Sequence, residues 1–442
     1  CGYLGSGLYT GWLVVYCFET FLGGGSFGVV SKFKKLEDDS RVAVKLLTNK
    51  TSFTNEVRGL SCLRELDPNK SNIIRCIDHF PYKGSYLIFY ELLDQDLCDF
   101  MAKRINKPLK MGEVRCIAKQ LLVSLRELKH IHVTHLDIKP NNILLVNHSL
   151  WPFKVKLADL GLARKTRLVS LYDVYQNRHY RAPEIFLGLP RDEGMDMWSL
   201  GCVLIYLILG NSLFKNNSEY SVVSKMITLF GMPHKTSLDT GWRLKTPQEY
   251  KIKQKKRSTP TVPKTKPLAE LLGQEKLKPD TTKFKDFLSM IDLFKRMLTM
   301  EAADRITPDD ALNHSFITME NLPDASESLY VKFGKEVLAR SERASPARVT
   351  EMEEDSDQSE LSGQVKQSTF TLEKGVQLIH RSNIYQVEEV IGSSANGIVV
   401  KLVLCVVRQW THAGGRQQSR KSLFRKENPY AVPQGGIFSV VS

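Results

Sequence analysis

Three polar groups fall within six residues in the stretch His135-Leu136-Asp137-Ile138-Lys139-Pro140-Asn141-Asn142: the carboxylate of Asp137, the ammonium of Lys139 and the carboxamide of Asn142. Pro140 disfavours a helix just before it, so the set is expected on a loop. Seventeen residues after Asn142, beyond the alternating strand-like run Val155-Lys156-Leu157-Ala158, comes Asp159-Leu160-Gly161. A carboxylate that accepts a hydroxyl proton, a lysine beside a transferring phosphate, and an amide with a second carboxylate on magnesium are what phosphoryl transfer requires. An HxD triplet alone is weak evidence, and a polar loop is the bland alternative. HxDxKPxN followed at this distance by DxG is a specific pattern.

Such a set needs elements that hold a nucleotide. Residues 16–32 alternate apolar positions into Gly23, Gly25 and Gly28, then Val29-Val30, which predicts strand, glycine turn and strand. Glycines let backbone approach phosphate closely, and the positions expected against the nucleotide are Leu22, Gly23, Gly25, Gly28 and Val30. The letters GxGxxG also suit a dinucleotide fold, but here the turn leads into a valine strand rather than a helix. Arg41-Val42-Ala43-Val44-Lys45 is a β-branched strand ending in a lysine placed to hold α- and β-phosphates. Glu56, expected to pair with Lys45, opens a helical pattern with Val57, Leu60, Leu63 and Leu66. Residues 86–93 form an apolar strand that breaks at Asp94. Its backbone around Glu91 to Leu93 is expected to hydrogen-bond adenine, with Tyr90 lining the rear of the pocket. Residues 112–130 have helical periodicity. After Asp159 a polar segment of about twenty residues runs to Tyr180-Arg181-Ala182-Pro183-Glu184, a length that suits a mobile activation segment. From Asp196 to Leu209 the pattern is apolar all round, which predicts a buried central helix. Arg305 is a candidate partner for Glu184.

The chain has 442 residues, 42% hydrophobic and 25% charged, within the range of soluble globular proteins. Its net charge of +14 is concentrated locally. Residues 251–267 hold seven basic and no acidic residues, and 402–442 hold six Lys/Arg against one Glu. Direct nucleic-acid binding is therefore not expected. The eight cysteines form no CxxC pair, which reads as reduced thiols in an intracellular protein without a zinc site. Leu8 to Phe21 is interrupted by Gly11 and Glu19 and is too short to span a bilayer, so no membrane association is expected. The first residue is Cys1 rather than methionine, which reads as a start that is missing or processed.

Glycine loop, VAVK, HxDxKPNN, DxG and APE stand in protein-kinase order, and residues 16–318 resemble one complete protein-kinase domain. Asp94-Gln95-Asp96-Leu97-Cys98-Asp99-Phe100, Arg178-His179-Tyr180-Arg181-Ala182-Pro183-Glu184, Trp242-Arg243-Leu244-Lys245-Thr246-Pro247 and Leu312-Asn313-His314-Ser315-Phe316 are similar to the homeodomain-interacting protein kinases. These belong with the dual-specificity tyrosine-regulated kinases in the CMGC group. The resemblance implies an α+β, two-lobed fold, a small β-rich lobe and a large helical one, and serine/threonine transfer from ATP with Mg2+. Asp137 and Lys139 would be catalytic, Asn142 and Asp159 metal-binding, and Arg181 would favour proline after the target residue. It further implies protein substrates among nuclear transcriptional regulators, a nuclear or cytoplasmic location and a monomeric state. Three positions depart from the pattern. Leu136 replaces the arginine that reads a phosphate on the activation segment, Leu160 replaces phenylalanine in DFG, and Val174 stands where the family has its activating tyrosine, flanked by Tyr172 and Tyr175. A pseudokinase scaffold and a transcriptional-regulator-binding protein are the alternatives.

The expected organisation is an N-terminal extension 1–15, small lobe 16–93, large lobe 94–335 with a basic insert at 235–285, an acidic disordered linker 336–369, a repeat 370–401 and a basic tail 402–442 of unknown fold. In the repeat, Ile384 to Lys401 aligns without a gap to Val15 through Lys32, with the middle glycine replaced by Ser394. It reads as a second glycine loop that starts and stops, and no HxD follows.

Overall fold

The computed structural model describes residues 13–342 except 26–27, 36–37, 83–84, 216–217, 234–243, 254–263 and 325–327, together with the strands 377–380, 383–394, 397–405 and 438–441. The chain divides into two compact units. One comprises residues 1–46, 87–89 and 354–442, the other 47–86 and 90–353. Most of the linker expected at 336–369 and of the tail lies outside the described residues.

The first unit is an antiparallel sheet. β1 (Leu13–Gly25) pairs with β2 (Gly28–Lys35), and β2 with β3 (Arg41–Leu47). Alternation sends Phe33, Val42 and Val44 inward, and Phe18 meets Phe33 edge-on at 5.6 Å. Glu19 on β1 takes Lys32 at 3.0 Å and Arg41 at 3.2 Å, so one carboxylate ties three strands. Register shifts between Phe18 and Thr20 and between Phe21 and Gly23 mark two irregularities on the approach to the glycines.

The repeat reproduces this hairpin. β11 (Asn383–Ser394) pairs with β12 (Gly397–Cys405), and its register shifts fall between Val387 and Glu389 and between Val390 and Gly392. Those positions are the alignment mates of the ones in β1. A short strand β10 (Gln377–His380) pairs with β11. Within the tail, β13 (Phe438–Val441) pairs with β1 through Leu13–Tyr16, an edge partner that the sequence did not announce.

The second unit is mainly helical. α3 (Met111–His130) and α5 (Gly194–Leu209) run through its core, and Met195 to Leu207 of α5 are buried without a break, as the all-round apolar pattern predicts. α6 (Glu219–Phe230) and α9 (Thr282–Met297) complete the frame. Of the insert 235–285, the described parts hold α7 (Pro247–Lys253) and α8 (Leu268–Leu271), and the last four residues belong to α9.

Two boundaries are corrected. α1 spans Lys50–Cys62, so Glu56 sits mid-helix and does not open it, while Leu63 and Leu66 lie beyond the end. Asn49 sets the start, its side chain accepting from the N–H groups of Thr51 and Ser52. α12 (Leu329–Glu342) continues seven residues past 335, so 336–342 is helix and not linker. Its anchor is a buried polar cluster: Arg115 of α3 pairs with Asp286 of α9, Tyr330 of α12 donates to the same carboxylate, and Arg115 Nε donates to the Phe316 carbonyl. Arg115→Met would strand the Asp286 charge and is expected to cost about 3–5 kcal/mol in denaturant unfolding. A loss below about 1 kcal/mol would show that the cluster does not hold these helices.

Candidate active site

In the first unit the strand register lines up three expected nucleotide contacts. Gly23 on β1 is opposite Val30 on β2, which is opposite Lys45 on β3. Gly25 pairs with Gly28 at the tip. Leu22, also expected against the nucleotide, is partly exposed.

In the second unit the catalytic stretch is a loop between β6 (Val133–Thr134) and a 3-10 turn at Pro140–Asn142, followed by β7 (Ile143–Leu145). β7 pairs with β8 (Val155–Leu157), and the N–H of Ala158 donates to the Asn142 carbonyl, which seats Asp159 beside the loop. Asp137 Oδ2 accepts from Lys139 Nζ at 2.6 Å and from Asn142 Nδ2 at 2.8 Å. Asn142 also donates to the Asp137 carbonyl at 2.8 Å. The three groups inferred from spacing therefore converge on one carboxylate.

Two backbone features aim this loop. Leu136 (φ 67°) and Asp159 (φ 62°) both take left-handed conformations, which cost side-chain-bearing residues free energy and persist where surroundings enforce them. For Leu136 the enforcement comes from Asp196. Its Oδ2 accepts the His135 N–H at 2.6 Å and its Oδ1 the Leu136 N–H at 3.0 Å. Burial raises the Asp196 carboxyl, against the lowering pull of the two amides, to about 7. The Leu136 side chain is fully buried, so the position that reads phosphate in related loops is a packing residue here.

His135 is also buried. Its Nδ1 faces the Asp137 N–H at 3.2 Å and its Nε2 the Ala158 carbonyl at 3.1 Å, which assigns the proton to Nε2. Burial lowers its pKa below the usual 6.5, against the pull of Asp137 and Asp159.

For a cation, Asn142 spends its NH2 on Asp137 and keeps its carbonyl oxygen as the donor atom. With the Asp159 carboxylate that makes two oxygen donors, which fits the small protein share of a magnesium ion held mainly by phosphates and water. Among the described residues no group of three His, Cys, Asp or Glu could cage a metal, and no helix is long and apolar enough to cross a membrane.

On Glu91 the expected adenine contact is narrowed. Its N–H donates to the Arg75 carbonyl at 3.1 Å, and its carboxylate takes Lys156 Nζ at 2.6 Å and the Arg75 N–H at 2.7 Å. That side chain pins the strand end rather than facing a ligand. Leu93 is buried next to it.

The segment after Asp159 is braced at both ends. Arg305 grips Glu184 with both nitrogens, at 2.8 and 3.0 Å, and also donates to the Gly194 and Thr299 carbonyls. Arg181 donates to the carbonyls of Tyr175 and Gln176, each at 3.0 Å, and pairs with Glu219 at 3.2 Å. The two candidate tyrosines differ sharply. Tyr172 is 96% exposed, whereas Tyr175 is buried, with its ring within cation–π range of Arg164 and Arg191 and its hydroxyl donating to Asp173 at 3.0 Å. Arg191 closes the turn by donating to the carbonyls of Ser170, Leu171 and Asp173.

Sequence reasoning missed Asp196 as the loop's anchor, although a carboxylate entering an all-apolar helix is a signal for a buried, bonded group. It also missed Gly59 on α1. A Cβ there would lie 2.3 Å from the Leu160 carbonyl oxygen, so the helix touches the backbone of the Asp159–Gly161 turn. Nothing local in the sequence signals that contact.

A protein kinase domain family model matches residues 16–317. The chain therefore belongs to the protein kinase family, with the α+β, two-lobed fold of that class. Within it, the chain is similar to homeodomain-interacting protein kinases. It is 35% identical over 339 residues to homeodomain-interacting protein kinase 1 of Mus musculus, covering 71% of this chain and 28% of that protein. It is 35% identical over 345 residues to homeodomain-interacting protein kinase 2 of Mesocricetus auratus, covering 71% and 29%, and 34% identical over 348 residues to homeodomain-interacting protein kinase 4 of Homo sapiens, covering 70% and 56%. The chain thus spans between about a quarter and somewhat over half the length of these relatives.

Two outcomes test the geometry. Gly59→Ala forces α1 off the Leu160 carbonyl and is expected to destabilise by about 1–3 kcal/mol, read as a lower Tm. His135 binds its proton less readily folded than unfolded, so its share of stability is present above pH 6.5 and falls away as pH drops below it. Histidine NMR titration should show an imidazole protonating below the usual 6.5, and loss of that resonance in His135→Gln assigns it to His135.

Proposed function

We propose that this chain is a protein serine/threonine kinase that transfers the γ-phosphate of Mg-ATP to hydroxyls followed by proline. The single observation that carries the reading is Asp137 Oδ2 receiving both Lys139 Nζ and Asn142 Nδ2. Asp137 orients the incoming hydroxyl and takes its proton, and Lys139 is placed to stabilise charge on the transferring phosphate. Lys45, in its row with Val30 and Gly23, holds the α- and β-phosphates. Magnesium, when bound through Asn142 and Asp159, neutralises charge on the phosphates.

Proline direction is supported by Arg181. Its guanidinium occupies the carbonyls of Tyr175 and Gln176. A target's next residue then finds those acceptors taken, and proline, which has no N–H, loses nothing by it. The relatives are named for interaction with homeodomain proteins, and we extend that to this chain as substrates among nuclear transcriptional regulators and a nuclear location. The run Gln254-Lys255-Lys256-Arg257 suits a nuclear import signal and lies outside the described residues. The usual mark of a scaffold without transfer is a lost catalytic group, and all four of Lys45, Asp137, Asn142 and Asp159 are present.

The test uses the full chain with Mg-ATP and a Ser-Pro peptide beside Asp137→Asn. Phosphate incorporation is expected to fall about 10²- to 10⁴-fold in the variant, and a Ser-Ala peptide to be the poorer substrate. Equal incorporation by both proteins, or none by either, overturns the reading.

A further inference from the structure

The Tyr90 hydroxyl donates to Glu56 Oε1 at 2.6 Å, and both side chains are buried. They come from different elements, Tyr90 from β5 (Ser85–Glu91) and Glu56 from the middle of α1. Burial, then the neighbouring Glu56 carboxylate, hold the phenol well above its usual pKa, so it remains a donor. A hydroxyl donating to a buried carboxylate is among the stronger side-chain hydrogen bonds. The terminal torsion of a glutamate is otherwise broad, so a fixed donor decides which oxygen points where.

The other oxygen, Oε2, lies on the side of the Asp159–Gly161 turn. A Cβ built on Gly161 would stand 3.9 Å from Glu56 Oε2 and 3.4 Å from Asp159 Oδ1. The carboxylates of Glu56 and Asp159 thus flank the same glycine. On the same helix, Gly59 brings α1 to the Leu160 carbonyl. One face of α1 therefore meets the turn backbone-to-backbone, and one of its charged side chains is held by the strand end.

We propose that Tyr90 is a positioning residue for phosphoryl transfer: its hydroxyl fixes Glu56 through Oε1, holding α1 against the Asp159–Gly161 turn with Oε2 directed toward that turn. The role rests on the kinase reading above and adds to it a residue whose ring alone had been expected to matter, as the wall of a nucleotide pocket. Phenylalanine at position 90 retains the ring and removes only the tether.

The experiment has two arms on the full chain. Amide hydrogen exchange compares wild type with Tyr90→Phe. Exchange in Lys50–Cys62 is expected to quicken about tenfold while α5 serves as an unchanged control, and unchanged protection of α1 overturns the tether. The second arm measures kcat/KM for ATP in wild type, Tyr90→Phe, Glu56→Ala and the double variant. Tyr90→Phe is expected to lower kcat/KM about tenfold in the wild-type background and less than about twofold once Glu56 is gone. An equal loss in both backgrounds, or no loss in an active wild type, overturns the positioning role, because a ring that merely packs would act without regard to Glu56. Failure of the kinase reading has a different signature, wild type and Asp137→Asn incorporating phosphate alike. The positioning role then falls with it, while exchange still reports on the tether.

Discussion

The catalytic loop hangs on one buried carboxylate. Asp196, at the start of the most thoroughly buried helix of the second unit, accepts the N–H groups of His135 and Leu136 and so fixes the backbone immediately before Asp137. Leu136 has a left-handed backbone that a leucine does not adopt unaided. The anchor makes that conformation affordable, and the conformation aims Asp137 at Lys139 and Asn142. A helix sealed in the core on every side is the least mobile support the fold offers, and a bond from its first turn transmits that rigidity to the chemistry.

The same solution recurs around the site. Glu184 and Arg305, Glu91 and Lys156, and Asp286 with Arg115 and Tyr330 are buried charges whose partners lie far away in sequence. Such pairs add little net stability over an apolar core of the same shape, but breaking one leaves a stranded charge. Each therefore penalises any arrangement except one. The segment between Asp159 and Glu184 is held by similar means without a phosphate-reading arginine beside Asp137. Arg191 gathers three carbonyls of the 170–173 turn, and Tyr175 sits within range of two guanidiniums. Leu136 is buried and Val174 exposed, and the contacts that hold the segment run largely from guanidinium groups to backbone carbonyls.

Much of this was legible in the residues, because it depends on local patterns. The loop set from Asp137 to Asn142, the glycine hairpin, the VAVK strand and the all-apolar helix each follow from spacing over a few residues. So does the repeat at 384–401, whose hairpin carries the same register shifts as the first. What stayed hidden depends on partners remote in sequence. The α1 start is set by the Asn49 cap ahead of any apolar periodicity. The reach of α12 depends on Tyr330 meeting an aspartate 44 residues earlier. Lys156 reads as an outward strand lysine until Glu91 is brought beside it, and Tyr90 as an apolar wall until Glu56 is.

Asp196→Asn tests the central constraint most directly. It exchanges one acceptor oxygen for a donor that faces a backbone N–H, and leaves volume and helix untouched. The loop should lose its aim while the fold persists. With circular dichroism matching wild type, kcat is predicted to fall by about tenfold or more. A wild-type kcat in that variant would contradict the claim that this carboxylate holds the catalytic loop.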